Sequence, residues 1–152
     1  MAFCFDTSAV IDAWVRYYPP DVFPTIWTRM DEAARAGQIY VIEEVVTELK
    51  RKDDGAYDWV HSRDMVVSID EDVQREVIEI MRKYPRLVDT RKNRSGCDPW
   101  VIALARARTL TVVTAEKATS SLDKPKIPDV CQDLKVPCVE VIEFFRRQGW
   151  RL

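Results

Sequence analysis

The sequence predicts an α/β protein of three layers, α/β/α, around a central, mainly parallel sheet. Two observations carry this. Short apolar runs, Phe3-Cys4-Phe5, Ile39-Tyr40-Val41 and Leu110-Thr111-Val112-Val113, read as buried strands. Stretches with apolar residues at helical spacing lie between them, and strands that alternate with helices form a parallel sheet covered on both faces. A length of 152 residues suits a single domain, 1–152, with a sizeable core.

Each element has its own signal. After the first strand, Ile11, Trp14, Val15 and Tyr18 fall at i, i+3, i+4 and i+7 and predict a helix that Pro19-Pro20 ends. Asp6, which can start a helix through its side chain, and Ser8 are candidate caps for it. A second helix starts near Pro24 and stops at Gly37. After the second strand, Ile42, Val45, Val46 and Leu49 share one helical face, and Glu48 borders that stripe. Residues 54–63 read as a helix and Met65-Val66-Val67 as a strand. Ser68 with Glu71 resembles a capping box ahead of a helix marked by Val73, Val77, Ile80 and Tyr84. Residues 85–97 read as a loop. Residues 98–108 are helical, with Asp98 a candidate N-cap and Pro99 in the first turn. Residues 117–128 form a Ser-, Lys- and Pro-rich loop, and Ile127 to Leu134 a turn or short helix. Pro137 to Val141 is the last strand and 142–149 the last helix.

Composition narrows the functional classes. Hydrophobic residues at 47% and charged residues at 32% describe a soluble globular protein. No apolar run reaches the ~20 residues of a membrane span, and no basic segment precedes the N-terminal apolar residues as in a signal peptide. Cys4, Cys97, Cys131 and Cys138 form no C-x-x-C pair, and His61 is the single histidine. That argues against zinc and for buried, reduced thiols, hence a cytoplasmic location. Net charge is −2, so no global attraction to nucleic acid is indicated. The basic residues cluster instead: Arg82, Lys83, Arg86, Arg91, Lys92 and Arg94 lead to Asp98. Such a segment would offset the repulsion between phosphate and an acidic site.

Four acids fall where one cation site would need them. In a parallel sheet with right-handed crossovers, ligands bind beyond the carboxyl ends of the strands. Asp6 follows the first strand, and Thr114 and Glu116 follow Val112-Val113. Asp98 shares a helical face with Val101, Ile102 and Ala105, which packs on the sheet and aims Asp98 along its edge. Glu48 sits at the edge of its helix's apolar stripe. Several carboxylates in one place are destabilising without a cation, and hard divalent cations take oxygen ligands. Thr7, Ser8 and Thr114 add hydroxyls at the same edge.

These segments resemble a known family. Phe5-Asp6-Thr7-Ser8-Ala9-Val10-Ile11-Asp12 looks like the opening motif of PIN-domain nucleases, including VapC-type toxins of toxin–antitoxin pairs. Glu48 in Thr47-Glu48-Leu49, Asp98 before Ile102-Ala103-Leu104-Ala105, and Thr114-Ala115-Glu116 resemble the second, third and fourth segments. The stretch Lys126-Ile127-Pro128-Asp129-Val130-Cys131 is similar to a narrower bacterial PIN-like branch of unassigned function. The resemblance implies a PIN-like fold and a metal-dependent endoribonuclease, the toxin of a toxin–antitoxin pair. Asp6, Glu48, Asp98 and Glu116 would hold Mg²⁺ or Mn²⁺, with Thr114 in support. Thr7, Ser8, Arg91, Lys92, Arg94 and Lys126, with Lys124, would hold the RNA backbone. An antitoxin would bind near the N-terminal helices, where Trp14, Tyr17, Tyr18, Phe23 and Trp27 gather; a homodimer is left open.

Two departures keep a second reading alive, one of them the long stretch from residue 117 to the last strand. Many members carry Asp and then an aromatic in the fourth segment, where this chain has Glu116, Lys117 and Ala118. The alternative is a PIN-like module that binds RNA or protein without cutting. A phosphoryl-accepting receiver domain is excluded, because Met65-Val66-Val67 leads to Ser68 rather than an aspartate and no lysine follows the last strand.

Overall fold

The computed structural model describes residues 1–52, 55–88 and 96–152. Among them, five strands form one sheet: β1 (Phe3–Phe5), β2 (Ile39–Ile42), β3 (Val66–Val67), β4 (Thr111–Val113) and β5 (Cys138–Val139). Their order is β3-β2-β1-β4-β5 and every pairing is parallel. The helices are α1 (Thr7–Ile11), α2 (Pro24–Arg35), α3 (Glu43–Lys52), α4 (Ala56–His61), α5 (Glu71–Lys83), α6 (Asp98–Arg108), α7 (Ile127–Leu134) and α8 (Val141–Arg147). The predicted α/β class with a parallel sheet is the observed one.

The order has a consequence for function. The chain runs from β1 outward to β2 and β3, then returns across β1 to add β4 and β5. The direction of winding reverses between β1 and β4, and a crevice opens at such a switch point beyond the carboxyl ends of the two strands. Phe5 pairs with Val113 there, and Asp6 N donates to Val113 O at 3.0 Å. Asp6 and Thr114 are therefore the first residues out of the sheet on adjacent strands.

Apolar burial holds this arrangement. Phe3 and Phe5 meet Phe144 of α8 edge-on, with centroids 4.8 and 5.1 Å apart, an arrangement aromatic pairs favour. Helix α6 is buried from Val101 through Ala105, with Trp100 half-buried, so it is covered on more than one side as its sequence implies. Cys4, Cys97 and Cys131 are buried free thiols and Cys138 is half-buried. No helix among the described residues is long and apolar enough to cross a membrane.

Several local expectations are corrected. Helix α1 gives way after Ile11 to a π-helical turn, Asp12–Tyr17. The wider turn breaks the 3.6-residue register, which leaves Val15 47% exposed rather than in the core. Asp6, not Ser8, caps α1, and Asp70, not Ser68, caps α5 by accepting from Val73 N at 2.9 Å. Asp98 is the first residue inside α6 and caps nothing; the capping position belongs to Cys97. The loop over 117–128 is shaped by Asp129, whose carboxylate accepts from Thr119 N, Thr119 Oγ1, Ser120 N and Lys126 N at 2.6 to 2.9 Å. Burial opposes its charge, but these donors prevail and hold it below the usual carboxylate range.

Gly55, just ahead of α4, has φ +94°, and a Cβ there would stand 2.9 Å from Trp14 Nε1. Gly55→Ala should therefore lose about 2 kcal/mol in urea unfolding. An unchanged midpoint would mean that the Trp14 ring moves aside without cost.

Candidate active site

The switch-point crevice is an open cleft of about 690 Å³, and all four predicted acids line it: Asp6, Glu48, Asp98 and Glu116. Each arrives on a different element. Asp6 ends β1, Glu48 lies on α3, Asp98 begins α6 and Glu116 follows β4. A somewhat larger hollow, about 720 Å³, opens near the amino ends of β2 and β3, around Tyr40, Met65 and Arg108, away from these acids.

Asp6 is rigidly held. Its Oδ1 accepts from Ala9 N at 2.7 Å, Ser8 Oγ donates at 2.9 Å, and Thr114 Oγ1 donates to Oδ2 at 2.6 Å. Ser8 Oγ also accepts from Ala115 N at 3.0 Å, and Thr114 Oγ1 from Glu116 N at 3.1 Å. Two hydroxyls thus tie the first acidic segment to the fourth. Burial pushes Asp6 up to about 7 in spite of these donors, with the Glu116 charge adding to the rise.

Asp98 is the least satisfied group in the cleft. It is 7% exposed, and as a carboxylate it leaves Oδ2 without a donor. Burial first, then the charges of Glu116 and Asp6, push it up to about 9. A hydrogen bond with the Glu116 carboxylate, which needs one shared proton, and the Glu48 charge act in the same direction. Thr7 Oγ1 is also buried without a partner and lines the same cleft.

The acids share the cleft without closing on a point. Among the described residues, no group of three or more Asp, Glu, His or Cys side chains is set to hold a metal ion as it stands. The contacts explain why. Cys97 Sγ lies 2.6 Å from Glu48 Oε2 and donates to it, and Ile127 N donates to Glu116 Oε2 at 3.2 Å. Each contact draws a carboxylate toward a neutral donor and limits repulsion. Burial and the Glu48 contact push the Cys97 thiol up, so it stays protonated. The remaining features fit a hard divalent cation: carboxylate and hydroxyl oxygens on one crevice, with two buried oxygens, Asp98 Oδ2 and Thr7 Oγ1, lacking partners.

The predicted basic contacts fare differently. Arg91, Lys92 and Arg94 lie outside the described residues. Of the same run, Lys83 pairs with Asp133 at 3.2 Å and Arg86 with Asp123 at 2.8 Å, and neither lines the cleft. Lys124 and Lys126 are exposed and do not line it either. The hydroxyl of Ser8 is engaged by Asp6 and Ala115. Among the described residues, the cations that line the cleft are Arg51 and Lys52, at the end of α3, and neither has an ion-pair partner there. Sequence reasoning passed over them, because basic residues in a last helical turn have an ordinary explanation in the helix dipole.

The N-terminal aromatics divide. Trp27 is buried and meets Trp14 at 4.6 Å and Trp59 at 4.9 Å. Tyr17 and Phe23 are exposed, with Val15 and Val22 nearby in the chain.

The chain belongs to the family described as domain of unknown function (DUF4411), whose model matches residues 3–152. No curated protein sequence matches it. Among solved structures it is similar to a chain in the crystal structure of VapBC2 from Rickettsia felis bound to a DNA fragment from their promoter. That likeness has 14% identity and a TM-score of 0.58, over 92% of this chain and 98% of the other. It is also similar to a chain of FitAcB from Neisseria gonorrhoeae, at 15% identity and a TM-score of 0.51, over 90% and 96% of the two. At such identities the likeness is one of fold, and it agrees with the PIN-like architecture that the sequence segments resemble.

Proposed function

We propose that this member of the family is a divalent-metal-dependent endoribonuclease, the toxin of a toxin–antitoxin pair, that hydrolyses RNA phosphodiester bonds. One observation carries the reading: Asp98, buried with an unpartnered oxygen, shares a crevice at the β1–β4 switch point with Asp6, Glu48 and Glu116. A helix cap would have explained Asp98 without function, and it caps nothing. The resemblance to PIN nucleases and the fold shared with VapBC2 support the same reading.

Asp6, Glu48, Asp98 and Glu116 would hold Mg²⁺ or Mn²⁺. When bound, such a cation supplies positive charge against the phosphodiester and acidifies water at the site. The chain's own residues do the rest. Ala9 N, Ser8 and Thr114 fix the orientation of Asp6. Thr114 also holds the backbone of Glu116, which ties the segment after β4 to Asp6. Asp98, which keeps a proton in the metal-free fold, would hold the cation as a carboxylate, its proton passing to solvent. Arg51 and Lys52 bind RNA phosphates at the rim, which positions the strand without reading its sequence. Val22 and Phe23, exposed ahead of α2, offer apolar surface to an antitoxin.

The direct test is cleavage of single-stranded and structured RNA by purified protein. Activity should need Mg²⁺ or Mn²⁺, stop with a chelator and resume when metal is restored. Absence of cleavage under all these conditions would favour a module that binds without cutting. The rim is tested separately. Reversing the charges of Arg51 and Lys52 should weaken binding of all RNA sequences alike and flatten its salt dependence by roughly one unit of slope per lost contact. An unchanged slope would remove both residues from the RNA path.

A further inference from the structure

A second cavity adjoins the acidic cleft. It measures about 210 Å³, and Asp12 lines both spaces. The segment after β4 also serves both, with Glu116 toward the cleft and Thr114, Ala115 and Lys117 toward the smaller cavity. Opposite them stand Tyr17, Tyr18 and Ile142, with the Lys117–Glu140 ion pair at the rim.

The two tyrosines differ. Tyr18 is built into the fold: its ring meets Phe23 at 5.8 Å and Phe145 at 5.1 Å, and its carbonyl accepts from Trp27 Nε1 at 2.6 Å. Tyr17 is 61% exposed, and its ring meets Tyr18 at 6.3 Å. It closes the π-helical turn that Asp12 opens. Such turns re-aim side chains and recur at functional sites. Core packing does not account for an aromatic ring left in solvent beside a cavity this close to a phosphodiester site.

We propose that this cavity is a stacking subsite for single-stranded RNA, in which Tyr17 is the platform for one unpaired nucleobase beside the phosphate held in the acidic cleft. The inference rests on the endoribonuclease reading. Size favours a base: the space is smaller than the ~300 Å³ at which drug-sized ligand pockets begin, and it suits one ring system. Chemistry favours it too. Bases splayed from single strands stack on tyrosine, while Asp12, Lys117 and Glu140 present charged and polar groups to a base edge. A peptide would need several apolar anchors at regular spacing along a groove; of the exposed apolar side chains Val15, Tyr17, Val22, Phe23 and Ile142, only Tyr17 and Ile142 line this cavity.

The test uses single-stranded oligoribonucleotides with one abasic position moved along the strand, bound in Ca²⁺ and read by fluorescence anisotropy. The parent protein should lose about tenfold in affinity at one position, the range of a single base–aromatic stack. Tyr17→Phe should keep that profile. Tyr17→Ala should bind intact RNA about tenfold more weakly and show no further loss at that position. RNA binding that depends on salt but has a flat abasic profile in the parent would overturn the subsite and leave the nuclease reading standing. So would a profile that Tyr17→Ala leaves unchanged, including the case in which a protein partner, and no base, protects Tyr17. No binding of any RNA by the parent would overturn the subsite together with the reading beneath it. Tyr17 is exposed, so Tyr17→Ala should melt with the parent, which separates loss of stacking from loss of fold.

Discussion

In metal-free buffer at neutral pH, Asp98→Asn should melt about 5–10 °C above the parent protein. The cause is the proton that burial and its acidic neighbours force Asp98 to keep in the folded state. Folding raises Asp98 from the ordinary 3.8 to about 9, so between those values the folded chain holds a proton that the unfolded chain releases. Stability then falls as pH rises across that window. At pH 7 the loss is on the order of 4 kcal/mol, and the cost of burying the replacement amide leaves a net gain of about 2–3 kcal/mol, which for a chain of this length converts to roughly the stated shift. Asparagine does not titrate, and its amide can donate to Glu116. Parent and variant should therefore melt together near pH 4 and diverge as pH increases. Asp6, raised to about 7, adds a slope of the same sign to both proteins, so the comparison reads Asp98 together with its coupling to the Asp6 charge.

The same variant tests the cation. Millimolar Mg²⁺ or Mn²⁺ should raise the melting temperature of the parent, by about 2.7 kcal/mol of stability at a hundredfold excess over the dissociation constant. It should do nothing for Asp98→Asn. Equal shifts in the two proteins would leave Asp98 as a strained buried acid with no part in holding metal.

How far the sequence foretold this site depends on the range of the signal. The edge of the sheet was legible, because short apolar runs followed by acids are local features and the rules of parallel sheets place them. Helix α6 was legible for the same reason: its N-terminal proline and apolar face specify Asp98–Arg108 closely. The π-helical turn was not, since Ile11, Trp14, Val15 and Tyr18 satisfy an α-helical period that the backbone then breaks. The choice between Asp6 and Ser8 as cap of α1 was also hidden. Both residue types cap well, and Asp6 takes the position here while Thr114 and Ala115, over a hundred residues away, engage the same pair. The contact of Cys97 with Glu48 spans 49 residues and leaves no periodic trace. In the basic run before Asp98, Arg91, Lys92 and Arg94 lie outside the described residues, and the described members Lys83 and Arg86 are engaged elsewhere. Charge density along a chain does not say which charges already have partners, as Lys83 and Arg86 do.

Asp6→Asn should reduce metal-dependent RNA cleavage by about a hundredfold or more while the protein stays folded. The amide oxygen can still accept from Ala9 N and cap α1, so what is lost is negative charge. Replacing Glu116 with Gln is the sharper experiment, because the fourth segment is where this chain departs from the family it resembles. Glu116 has a structural duty, since its Oε2 accepts from Ile127 N at the start of α7. Glutamine keeps that acceptor, and the Glu116 backbone keeps its bond to Thr114 Oγ1. Any loss in Glu116→Gln therefore reports on charge rather than on the loop. A loss comparable to that of Asp6→Asn would make Glu116 a working acid in place of the usual aspartate. A loss of less than about threefold would assign Glu116 to α7 and leave Asp6, Glu48 and Asp98 to carry the site. The charge effect should also appear without cleavage. Glu116 is the largest charged neighbour raising Asp98, so Glu116→Gln should flatten the fall of metal-free stability with rising pH. If neither cleavage nor the pH profile moves in Glu116→Gln, the fourth segment is a structural brace and the catalytic charge lies on three elements.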